Sequence, residues 1–136
     1  MRVELDNDMY IVYLYTYDKD IKKVVKDAIN SLNKYYNVSF NGYDIKAYIN
    51  KYFGIILEIK EGYSVLNGIN IDLKVLKDTL FLYKVDDPLD YLDNEIYYYD
   101  NEFYVSIKKP NINIIENSNI IYKEDVYKVI GKGIKI

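Results

Sequence analysis

Apolar positions along the chain change period several times. Residues 2–5 and 9–16 read as extended, separated by the turn-like Asp6-Asn7-Asp8. In the second run Tyr10, Val12 and Leu14 alternate with Ile11, Tyr13 and Tyr15. Both sets are apolar, which predicts a central strand covered on each side.

Between 18 and 36 the period lengthens. Ile21, Val24, Val25, Ala28, Ile29 and Leu32 recur at i, i+3, i+4 spacing, the mark of an amphipathic helix. Asp18 is placed to cap it, and Asp20 to complement its dipole. Lys19, Lys22, Lys23 and Lys26 gather on the opposite face. The stripe reads as a solvated outer face balanced by Asp18, Asp20 and Asp27, with phosphate binding as the sharper alternative.

After Asn41-Gly42 the period returns to two. Residues 43–49 and 54–60 alternate, and Asn-Lys-Tyr-Phe-Gly between them predicts a hairpin loop with Gly54 at positive φ. Residues 69–76 alternate most strictly. Residues 79–85 are expected to pair back on them through Lys77-Asp78, with Leu73 facing Leu82 and Val75 facing Leu80. Residues 86–93 predict one helical turn begun by Pro88. Residues 111–121 read as weakly strand-like. The end, from 123, fits a short helix with Gly131 just past its last turn, or a hairpin turning at Glu124-Asp125.

Strand, helix, then many strands with short connections predicts an α+β fold in a single domain over 1–136. It would be a mostly antiparallel sheet of about seven to nine strands, with the helix 18–36 packed on one face and a short C-terminal helix as an option. No second long helix is foreseen for the other face. That face is then solvated, curled toward a barrel-like shape, or used for contact.

The segment Glu-Ile-Tyr-Tyr-Tyr-Asp-Asn-Glu-Phe-Tyr-Val, 95–105, is the most aromatic. A two-residue turn at Asp100-Asn101 sets Tyr99 against Glu102, Tyr98 against Phe103, Tyr97 against Tyr104 and Ile96 against Val105. Ile96, Tyr98, Phe103, Val105 and Ile107 then form a core face. Glu95, Tyr97, Tyr99, Glu102, Tyr104 and Ser106 form the other, expected to be at least partly exposed. The alternative is that Tyr97 and Tyr104 only brace the hairpin or pack under the C-terminal tail.

Charge sharpens this reading. The net charge of -3 over 136 residues says little. Residues 78–102, however, hold eight acids against Lys84 alone, a net of -7, and residues 108–136 hold six lysines against three acids.

Composition removes chemistry. With neither cysteine nor histidine, the chain lacks thiolate catalysis, zinc-thiolate sites and the commonest general base. Gly131-Lys132-Gly133 is not a phosphate loop, and Ser31, Ser39, Ser64, Ser106 and Ser118 have no imidazole to activate them. Asp86, Asp87, Asp90 and Asp93 are the oxygen-ligand candidates for a divalent cation, without the calcium-loop spacing. No catalytic residue, metal site or cofactor is therefore assigned. Nucleic acid is disfavoured because the tyrosine-rich hairpin is flanked by acids. The N-terminal Met-Arg-Val-Glu-Leu-Asp-Asn-Asp lacks a secretory signal, and no apolar run spans a bilayer, so a cytoplasmic protein is expected.

The expectation is a small non-enzymatic binding protein of inhibitor or immunity type. It would present Tyr97, Tyr99, Tyr104, Glu95, Glu102 and Asp93 to a basic protein partner. A self-assembling structural subunit is the alternative, and a carboxylate-based cation or small-ligand module the third.

Overall fold

The alternating runs do form strands, but in two sheets instead of one. The computed structural model describes residues 1–16, 18, 20–63 and 70–136. Lys19 of the lysine stripe, Ser64, and Ile69 at the start of the strictest alternation lie outside the described residues. The fold is α+β. It divides into two compact units, Met1–Ile49 with Gly54–Leu76, and Asn50–Phe53 with Lys77–Ile136.

In the first unit β1 (Arg2–Asp6) and β2 (Met9–Leu14) form a hairpin, turned by Asn7 at φ 55°. Helix α1 (Ile21–Tyr36) follows. Its cap is Asp20, whose Oδ1 accepts from the Lys23 amide at 3.3 Å. Asp18, the expected cap, instead accepts from the Asp20 amide at 3.0 Å and so sets the cap residue's own backbone. Asn37 ends the helix in the left-handed conformation, and the Val38 amide returns to Leu32 O.

Strands β3 (Gly42–Asn50) and β4 (Ile55–Glu61) form the expected hairpin, with Gly54 at φ 97°. Asn50 Oδ1 ties the loop by accepting from the amides of Tyr52 and Phe53. With β5 (Asn70–Thr79) the sheet order is β1-β2-β4-β3-β5. Helix α1 covers one face: Val24, Val25, Ala28, Ile29 and Leu32 pack on Val12, Tyr43, Ile45, Ala47, Ile55, Leu57 and Ile59. Lys22, Lys23 and Lys26 stay exposed.

Part of the opposite face is also buried, with Ile11, Tyr13, Tyr48, Ile56 and Glu58, and it carries charge. Arg2 bonds Glu4 at 2.7 Å and its guanidinium stands 4.6 Å over the Tyr13 ring. The Tyr13 hydroxyl donates to Glu4 Oε2 at 3.2 Å. Burial first, and then the Glu4 carboxylate, push the Tyr13 hydroxyl well above the usual phenol range. Glu58 is buried and accepts from the Tyr48 hydroxyl at 3.2 Å.

In the second unit β6 (Leu82–Val85) does not return onto β5. It lies between β8 (Glu102–Ser106) and β9 (Asn119–Ile121). The expected facing of Leu73 with Leu82, and of Val75 with Leu80, is therefore not formed. Alternation specifies which face a residue takes, not which strand it meets. Pro88 starts a 3₁₀ turn, Pro88–Tyr91, capped by Asp87 Oδ1 accepting from the Leu89 amide at 2.9 Å. Strand β7 (Glu95–Tyr99) pairs with β8 in the expected register, and Asp100 and Asn101 both take positive φ, as a type I′ turn requires.

Residues 112–117 are helix α2 (Ile112–Asn117) and not strand. Asn111 caps it by accepting from the Ile114 amide, and Ile114 and Ile115 are both buried, on successive positions that a half-exposed strand would split. Helix α3 (Glu124–Lys132) settles the C-terminal ambiguity in favour of a helix. It runs through Gly131 and ends at Gly133, whose amide donates to Val129 O at 2.8 Å; a Cβ at Gly133 would collide with that same carbonyl. Strand β10 (Ile134–Lys135) then joins β7, giving the order β10-β7-β8-β6-β9. Both five-stranded sheets are open, so the curled alternative is not adopted. Among the described residues no helix is long and apolar enough to cross a membrane.

Candidate functional site

The β7–β8 register places Glu95, Tyr97, Tyr99, Glu102, Tyr104 and Ser106 on one face, as the alternation requires. Lys84 of β6 lies opposite Tyr104 and joins that face. Its covering is the alternative that the sequence left open, packing under the C-terminal segment. The apolar stripe of α3, Val126 and Val129, packs on it with Leu82 and Tyr97, and Leu80, Tyr99, Tyr104 and Ile121 pack around that cluster. Tyr97 is 8% exposed, which corrects the expectation of a solvent-facing ring; Tyr99 and Tyr104 are half-buried. The reversed face is equally occupied. Ile96, Val105 and Ile107 are buried as expected, while Tyr98 and Phe103, near the turn, are half-buried with ring centroids 5.0 Å apart.

The two glutamates are engaged within the unit. Glu95 accepts from the Tyr97 hydroxyl at 3.3 Å and faces Lys135 at 3.6 Å. Glu102 faces Lys84 at 3.2 Å. These neighbours set the titration of the cluster. Burial, then the Glu95 charge and hydrogen bond, raise the Tyr97 hydroxyl above the usual phenol value. Burial raises Tyr104 too, opposed by Lys84 and aided by Glu102. The hydrogen bond to Glu102, followed by its charge, raises Lys84.

The remaining acids are exposed. Asp86, Asp87, Asp90, Asp93 and Asp100 all face solvent. Between them the 3₁₀ turn projects Leu89 and Leu92, 69% and 63% exposed. Asp87 holds this turn, and Asn94 N closes it by donating to Tyr91 O at 3.0 Å. Beside it runs a shallow groove of about 330 Å³, lined by Lys84, Asp86, Asp87, Asp90, Tyr91 and Asn117–Asn119. Tyr97 is thus covered by α3, while Glu95 and Glu102 keep side chains 40% and 39% exposed; Asp93, on the exposed acidic prong around the 3₁₀ turn, lines one groove with Glu95.

Leu89 and Leu92 were the residues that sequence reasoning missed. Their signal was present: two leucines three apart, after a proline and inside a run of aspartates, have no apolar stripe to join. Among the described residues no group of three or more acidic side chains is gathered to hold a metal ion.

No protein-family model, curated protein or solved structure matches this chain.

Proposed function

We propose that this chain is a non-enzymatic binding protein that captures a basic protein partner through the acidic prong of its second unit. The observation that supports the reading is the exposure of Leu89 and Leu92 on a capped turn, in a segment that also exposes Asp86, Asp87, Asp90 and Asp93. Two exposed leucines on an ordered turn supply apolar contact at low ordering cost. Four exposed carboxylates steer a basic surface toward them and disfavour acidic competitors.

The tyrosines take a supporting role in this reading. Tyr97 and its neighbours anchor α3 on the sheet, so Tyr97, Tyr99, Tyr104, Glu95 and Glu102 stiffen the scaffold beside the prong, and Asp93 contacts the partner directly. An inhibitor or immunity-type role, in which the prong occupies a cationic cleft, follows from the same chemistry.

The test is capture from a lysate of the source cells, with wild type compared against Asp87→Lys/Asp90→Lys and against Leu89→Ser/Leu92→Ser. A partner held by wild type, released by salt and lost from both variants supports the reading. A partner retained by both variants refutes it.

A further inference from the structure

The strongest unassigned surface outside the prong is a sheet edge in the first unit. Among the described residues no strand lies beyond β5 in the order β1-β2-β4-β3-β5. At ten residues β5 is the longest strand among the described residues, while the edges of the second sheet are only the two residues of β10 and the three of β9. A long edge presents a row of backbone donors and acceptors to which another strand can add. Leu73 packs on the core beneath α1, so Ile71 and Val75, two residues to either side, share its face. Ile71 is nevertheless 46% exposed there, and the neighbouring Asp72 and Lys74 project into solvent from the other face.

We propose that this edge pairs with the same edge of a second copy of the chain, antiparallel and centred on Leu73. The register is dictated by charge. With Leu73 opposite Leu73, Asp72 of each copy meets Lys74 of the other, giving two opposite-charge pairs on one face. The same register sets Ile71 against Val75 on the α1 side, covering the exposed isoleucine. A slip by two residues places Asp72 against Asp72, or Lys74 against Lys74. A slip by one turns the apolar set to the wrong face. The charges that guard the edge against other strands therefore select one partner, the chain itself. The contact is isologous, so it closes at a dimer and does not propagate into fibres.

Sedimentation equilibrium over a micromolar to millimolar range tests this on the full chain. Wild type is expected to shift reversibly from monomer to dimer. Asp72→Lys and Lys74→Asp, each converting two attractive pairs into repulsive ones, are expected to weaken dimerisation about tenfold or more. The exchange Asp72→Lys/Lys74→Asp should restore it, which separates lost pairing from lost folding. A wild-type chain that stays monomeric throughout overturns the proposal. So does a dimer that either single reversal leaves unchanged, or one that the double exchange fails to restore. Because residues 71–75 of the edge lie in the first unit and the prong in the second, either proposal can fail without the other.

Discussion

Tyr97 stands directly across from Tyr104 in the β7–β8 ladder, and the pair sits in the cluster that α3 closes with Val126 and Val129. What reads in sequence as a sticky aromatic surface is the bed on which the C-terminal helix lies. Tyr97→Ala is therefore expected to destabilise the protein by ~3 kcal/mol, because it opens a cavity under α3. Tyr97→Phe, which keeps the ring and loses the bond to Glu95, should cost ~1 kcal/mol or less. Urea denaturation of both variants measures the difference.

Asp20, not Asp18, carries the cap of α1. Asp20→Ala is expected to cost ~1 kcal/mol, and Asp18→Ala less, since Asp18 acts through the backbone of the cap residue and an exposed ion pair with Lys23 at 3.8 Å. Equal losses for the two would contradict the assigned cap.

The turn at Asp100 and Asn101 predicts a backbone penalty. Both residues sit at positive φ, so Asn101→Ala should cost ~1 kcal/mol and Asn101→Val more, because a β-branched side chain is poorly tolerated there. Chemical denaturation midpoints report the order.

Tyr13 gives a pH dependence with a definite sign. Its folded-state pKa is raised, by burial first and by Glu4 next, so the folded protein favours the neutral phenol. Its contribution to stability is fully present below the unfolded value, near 10, and is lost as pH climbs from there toward the folded value. Tyr13→Phe should therefore flatten the alkaline decline in melting temperature relative to wild type. An unchanged decline would show that Tyr13 ionises normally in the fold.

These outcomes bear on what the sequence made legible. The α1 stripe from Ile21 to Leu32, the β3–β4 hairpin and the β7–β8 register could be read because each is a local pattern: a helical period, a glycine at positive φ, an Asp-Asn turn. The return of β6 onto β5 could not, because Leu73 and Leu82 satisfy alternation equally well with other neighbours. In α2, Asn111 and the adjacent Ile114 and Ile115 mark a capped helix of six residues, too short for the periodicity to stand out. The exposure of the tyrosine face was illegible at the same point. Tyr97, Tyr99 and Tyr104 were placed correctly on one face, but its exposure depended on α3, and Glu124-Asp125 fitted either a helix start or a turn.

The most direct measurement of the account is quantitative capture of the partner by wild type and by Asp87→Lys/Asp90→Lys/Asp93→Lys, with circular dichroism confirming that each is folded. The acidic-prong reading predicts that the triple reversal abolishes capture and that rising salt weakens the wild-type complex. Undiminished, salt-insensitive capture by the folded triple variant would contradict it.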